Sequence, residues 1–133
     1  MKKEQDKYTN NWNCHQDDIA DLSTGSVDGR GIAVTGEVGC KATIHVWDTN
    51  TMKSLNQFSL GPDAKGVASV ALSPCCRYVA VVDQSNNHGM SIFHTNKKKA
   101  IVQVSAGTDA ITDIKWSKKL NDLRFCAITS RSL

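Results

Sequence analysis

The chain has 133 residues, 40% of them apolar and 22% charged, a size and balance that suit one modest globular domain and exclude wholesale disorder. Sixteen Lys and Arg against 13 Asp and Glu leave a formal charge of +3, too small by itself to imply nucleic acid. No run approaches the ~18 apolar residues of a spanning helix, and no apolar stretch follows Met1-Lys2-Lys3-Glu4-Gln5-Asp6-Lys7, so neither a membrane span nor a secretory signal is expected.

Residues 1–14 read as a polar leader, carrying Tyr8 and Trp12. From His15 onward the chain is built of strand-length pieces. Ile19-Ala20-Asp21-Leu22-Ser23-Thr24 comes first. Gly31-Ile32-Ala33-Val34-Thr35 follows, then Thr43 to Thr49, then Ser54 to Leu60. A second set repeats the order: Val67 to Ser73, Tyr78 to Val82, Met90 to Thr95 and Lys99 to Ser105. A third begins with Ile111 to Ser117 and Phe125 to Thr129. Ile19, Val67 and Ile111 are each followed three places on by another apolar residue. Arg30, Arg77 and Arg124 recur at a 47-residue step, each three residues before Ala33, Ala80 or Ala127. The run behind each arginine is short and apolar, the pattern of a strand buried on both faces. Repetition of the arginines favours a structural role, such as hydrogen bonding to carbonyls at a turn.

Four short strands every 44 to 48 residues, separated by turn residues at Gly29, Ser73-Pro74 and Asn86-Asn87-His88-Gly89, describe a four-stranded antiparallel sheet repeated along the chain. One such sheet cannot bury both faces alone, so its neighbours must cover them. The expected fold is all-β, a partial β-propeller of about two and a half blades: 15–60, 61–105 and a half blade at 106–133. Sustained 3.6-residue periodicity, which a helical solenoid needs, is absent. Closed propellers need at least about four blades, so further blades are expected from the same or another chain.

Chemistry-bearing candidates are few. Five cysteines, at 14, 40, 75, 76 and 126, lack even pairing and any Cys-x-x-Cys spacing, which suits reduced thiols and no metal site. A Cys/His nucleophile and base would have to come from His15 with Cys14, or from His88 and His94 with Cys75 or Cys76. Asp17-Asp18 is an adjacent rather than facing carboxylate pair, which is poor for general acid–base work. Gly36-Glu37-Val38-Gly39-Cys40-Lys41-Ala42-Thr43 fails as a phosphate loop, because its lysine and hydroxyl are misplaced and a strand follows instead of a helix. A hairpin turn explains it. No catalytic residue, cofactor or metal is expected. Lys97-Lys98-Lys99 and Lys118-Lys119 fall on turns that antiparallel pairing puts on the same side of the sheets, where they form a basic rim. Trp47, Phe93 and Trp116 hold strand positions rather than interleaving with lysines, which argues against nucleic acid.

At Trp47-Asp48 the sequence resembles the WD40 repeat, whose blades end their third strand in that dipeptide. The resemblance implies a hydrogen-bonded chain from a His before the first strand, through a Ser or Thr on the second, to the Trp. The matching residues are His15, Thr35 and Trp47. In the second blade the Trp and Asp positions hold Phe93 and His94, so the chain is expected only in the first. His15-Gln16-Asp17-Asp18-Ile19, Ala33 to Gly39, Ser59-Leu60-Gly61 through Lys65-Gly66-Val67, and Asp83 to Ile92 together resemble the echinoderm microtubule-associated protein-like family. That resemblance implies a non-enzymatic, cytoplasmic scaffold of the cytoskeleton with tubulin or other cytoskeletal proteins as partners, Lys97, Lys98, Lys99, Lys118 and Lys119 facing the acidic tubulin surface. A generic WD-repeat interaction scaffold in another assembly is the alternative.

Overall fold

The computed structural model describes residues 15–86, 88–105, 107 and 109–130; the leader expected over residues 1–14, with Cys14, lies outside the described residues. Ten strands occur in chain order. Ile19–Val27 (β1), Arg30–Glu37 (β2), Thr43–Asp48 (β3) and Ser54–Ser59 (β4) form the first sheet. Val67–Leu72 (β5), Tyr78–Asp83 (β6), Gly89–His94 (β7) and Ala100–Ser105 (β8) form the second. Ala110–Trp116 (β9) and Phe125–Ser130 (β10) form a two-stranded third. Every pairing is antiparallel between consecutive strands, and the fold is an all-β, partial WD-type propeller.

Local chemistry sets the hairpins. Asp28 and Gly29, both at positive φ (51° and 72°), form the two-residue turn that joins Val27 to its partner Arg30, as a primed turn requires. The ladders also define which residues are equivalent. Ala33 pairs with Trp47 as Val79 pairs with Phe93, and Thr35 faces Leu22 as Val81 faces Val70 and Ala127 faces Ile114. The structural step along the second strands is therefore 46 residues, and the 47-residue arginine and alanine spacing is corrected. The hairpin of the second sheet is shorter: Val70 meets Val81, 11 positions on, whereas Leu22 meets Thr35, 13 positions on. A one-residue slip exchanges faces. Ala33 accordingly lies beside Trp47 on the open side of the first sheet, while Ala80 packs with Ile111 and Ile114 of the third. The arginines differ too, since Arg30 meets the Asp48 carboxylate (3.5 Å) and Arg124 the Asp122 carboxylate (2.8 Å).

The main core lies between the first two sheets. Ile32, Val34, Ile44 and Val46 meet Val67, Val70, Val79 and Val81, and Phe58 stacks on Phe93 with centroids 4.7 Å apart. Gly36 allows this approach, because a Cβ there would lie 2.6 Å from Val67 Cγ1. A second core joins Ala71, Ala80 and Val82 to Ile111 and Ile114. Polar bonds fix the inner strands side by side. Asp21 Oδ2 accepts from Ser69 Oγ (3.1 Å) and the Val70 amide (2.9 Å), Ser23 Oγ accepts from the Leu72 amide (2.9 Å), and Trp116 Nε1 donates to the Ala71 carbonyl (2.9 Å). β1 and β5 thus run in the same direction, so equivalent turns of different sheets share one rim.

β2 and β6 are buried as their apolar runs suggested, but β10 is not: Ile128 is 50% exposed, with Cys126, Ala127 and Thr129 exposed around it. No described element covers its far face. Val102 and Val104 on β8 are exposed for the same reason, since the two-stranded third sheet does not reach them.

Candidate protein-interaction site

The first sheet carries a polar chain on the face turned away from the second. Trp47 Nε1 donates to Thr35 Oγ1 at 2.8 Å, and Thr35 Oγ1 lies 2.6 Å from His15 Nε2. His15 Nδ1 is 3.2 Å from Glu37 Oε2. A carboxylate only accepts, so Nδ1 carries the proton, and Nε2 of the neutral ring receives the Thr35 hydroxyl hydrogen. Every donor along the chain is thereby satisfied. Burial pushes the Glu37 pKa up, but the Thr43 hydroxyl and amide and the Gln16 and Asp17 amides outweigh it and hold the carboxyl below 4.5. Glu37 was not singled out in the sequence, although a carboxylate ending the apolar run from Ile32 to Gly36 signals a buried charge that needs partners. His45 stacks on Trp47, and outside them Ile19, Leu22 and Met52 are at least half exposed around an open apolar hollow of roughly 840 Å³.

The nucleophile candidates are not assembled. His94 meets Tyr78 edge-on and accepts from the Asn96 amide, while Cys75 Sγ lies near Ser73 Oγ. Burial and the neighbouring Cys75 push the Cys76 thiol pKa up, away from thiolate. No group of three or more His, Cys, Asp or Glu that could hold a metal occurs among the described residues.

Charge is divided between the two rims. The turns that follow β1, β3, β5, β7 and β9 carry Lys53, Arg77, Lys97 to Lys99, Lys118 and Lys119, all exposed. Of the carboxylates on that rim, Asp48 is matched by Arg30 and Asp122 by Arg124, leaving Asp28. Hydrogen bonds from the Arg124 guanidinium and Ser117 hydroxyl hold the Asp122 carboxyl far below the usual range. The opposite rim carries Asp17, Asp18, Asp63, Asp83 and Asp109 against Lys41 and Lys65. One rim is basic and the other acidic.

The sequence has relatives among known proteins. No protein-family model matches the sequence. A ciliary WD repeat-containing protein, ctxp80, of Euplotoides octocarinatus is 28% identical over 108 residues, 81% of this chain and 15% of the relative. Echinoderm microtubule-associated protein-like 3 of Mus musculus is 26% identical over 89 residues, 65% of this chain and 10% of the relative. Echinoderm microtubule-associated protein-like elp-1 of Caenorhabditis elegans is 33% identical over 88 residues, 62% of this chain and 9% of the relative. The chain is similar in sequence to WD-repeat and echinoderm microtubule-associated protein-like proteins. It spans 15% or less of the length of these relatives. In this WD-repeat chain the Trp-Asp pair ends β3, and its ladder counterpart on β7 is Phe93-His94.

Proposed function

We propose that this WD-repeat chain is a non-catalytic, microtubule-associated scaffold whose basic rim faces the acidic surface of tubulin in the cytoplasmic cytoskeleton. The observation that carries the reading is the division of charge between the rims. The sheets are stacked with their equivalent turns on one side, so Lys97, Lys98, Lys99, Lys118 and Lys119 are displayed together, with Lys53 and Arg77 extending them. Complementary charge of this kind speeds and orients association with an acidic partner. The names of the relatives add microtubule association from outside the geometry. Catalysis is not part of the reading, because His15 and Glu37 are bonded to each other and to neighbouring groups of the first sheet, and His94 and Cys75 each meet a different neighbour. The blades are 15–60, 61–105 and 106–133, with further blades supplied by the same or another chain to cover the exposed faces of β8 and β10. His15, Thr35 and Trp47 serve the first blade structurally rather than a ligand.

Co-sedimentation with polymerised microtubules tests the proposal. At low salt the chain is expected in the pellet, and a Lys97→Glu/Lys98→Glu/Lys99→Glu variant in the supernatant. A wild-type chain that stays in the supernatant at low salt contradicts tubulin binding and leaves a WD-repeat scaffold for another assembly. A variant that pellets like wild type removes the lysines from the interface.

A further inference from the structure

The Lys97–Lys99 turn is not a free surface loop. From β4 of the first sheet, Asn56 reaches across to the second. Its Nδ2 donates to the Thr95 carbonyl at 2.9 Å and to the Lys97 carbonyl at 3.1 Å. Its Oδ1 accepts from the Gln57 amide at 2.9 Å, which fixes the orientation of the carboxamide. From the other side, the Thr95 amide donates to the Arg77 carbonyl (2.8 Å) and the Thr95 hydroxyl to the Cys76 carbonyl (3.1 Å). The Lys97 amide closes the turn on the His94 carbonyl at 3.0 Å. The backbone from Thr95 to Lys97, which leads into the three lysines, is therefore held from two sheets while the lysine side chains remain exposed.

We propose that Asn56 is a positioning residue that preorganises this turn for an extended acidic peptide lying along the basic rim. The inference rests on the reading of that rim as the partner-binding surface and adds the class of ligand and the residue that shapes the site. Holding the turn in place removes an ordering cost that a flexible lysine loop would meet on binding. Asn56 is not a general requirement of the repeat: its ladder counterpart on β8 is Val102, since Val46 pairs with Asn56 as Ile92 pairs with Val102. The ligand is extended because the cations follow one another across three sheets, from Lys53 through Arg77 and the triple lysine to Lys118 and Lys119. It is a peptide rather than single-stranded nucleic acid because no aromatic ring interleaves with the lysines as an exposed platform: Tyr78 and His94 beside them are half-buried and packed edge-on against each other. Phe93 is 1% exposed, and Trp116 is tied to the Ala71 carbonyl.

Fluorescence anisotropy with a labelled ten-residue polyglutamate peptide at low salt reads this out in the wild type, in Asn56→Ala, in Lys97→Gln/Lys98→Gln/Lys99→Gln, and in the combination. Asn56→Ala is expected to weaken binding about three- to tenfold, in line with the ordering of a few side chains and a turn. It should leave the salt dependence unchanged, because no charge is lost, whereas the triple variant flattens it. In the triple-glutamine background Asn56→Ala is expected to change nothing. Asn56→Thr, which keeps strand preference and one donor, should fall between wild type and alanine, and serves if the alanine variant does not fold. Equal affinities for wild type and both Asn56 variants, or an equal loss in the lysine-free background, overturn the positioning role. Equal binding of a ten-nucleotide RNA overturns the peptide assignment. Failure to bind polyglutamate by a chain that pellets with microtubules also overturns it while leaving the tubulin reading standing; peptide binding without pelleting does the reverse.

Discussion

The same face is built in two ways in the first and second sheets. In the first, Thr35, His45 and Trp47 cover it, and His15 and Glu37 extend the hydrogen-bonded chain. In the second, the ladder counterparts are Val81, Ser91 and Phe93, and the face is buried against its neighbour, with Val81 at 0% and Phe93 at 1% exposure. The second sheet borrows its stability from Phe58, Val34 and Val46 across the interface. The first keeps a polar network within itself and still buries Thr35 to 6%. A WD-type blade thus tolerates either solution at one set of positions, provided that a buried hydroxyl or indole never lacks a partner.

Substitutions that move one sheet toward the other sharpen this contrast. The largest effect is expected from Phe93→Ala, which empties the stack on Phe58 and should cost about 3–5 kcal/mol in urea unfolding; a cost near that of a surface substitution would show that the interface is not the core. Thr35→Val removes the hydroxyl between Trp47 and His15 and strands two buried groups, for about 1–3 kcal/mol. Val81→Thr buries an unpartnered hydroxyl and should cost a similar amount, about 1–3 kcal/mol. Adding Trp47→Phe to Thr35→Val reproduces the pair of residues found in the second sheet. The double variant should lose less than the sum of the single ones, since both ends of a bond are removed together.

Glu37 gives the first sheet a pH dependence: its carboxylate is held by the Thr43 hydroxyl and amide, whereas its ladder counterpart in the second sheet, Asp83, accepts from the Ser85 amide. The folded pKa of Glu37 lies below the ordinary glutamate value, so the carboxylate's contribution is present above the unfolded pKa and is lost as the pH falls through the folded one. Unfolding midpoints measured downward from pH 6 should drop more steeply for wild type than for Glu37→Gln; parallel curves would remove Glu37 from the account. The smallest effect is expected on β10, where Ile128→Thr at 50% exposure should stay within about 0.5 kcal/mol.

Much of the fold was legible because it repeats. The apolar runs, the turn residues and the Trp47-Asp48 pair located the strands, and His15, Thr35 and Trp47 were nameable from the resemblance. The register was not legible. Arg30, Arg77 and Arg124 suggested a 47-residue step, and only the backbone pairing shows that the second hairpin is two residues shorter and that Ala33 and Ala80 face opposite ways. Apolarity alone did not reveal that β10 is exposed, because burial depends on what lies opposite. Glu37 and Asn56 escaped notice for a related reason: their partners, most of them main-chain groups, converge only after folding, in the case of Asn56 across 39 and 41 residues. The lysines were visible one by one, and the fold assigns them and the aspartates to opposite rims.

That division of charge is tested most directly by reversing equal charge on each rim and measuring microtubule co-sedimentation at low salt. Lys97→Glu/Lys98→Glu and Lys41→Glu/Lys65→Glu change the net charge by the same amount at opposite ends of the sheets. The first pair is predicted to leave the chain in the supernatant and the second to leave pelleting at the wild-type level. Equal loss in both, or loss only with Lys41 and Lys65, would contradict binding through the basic rim.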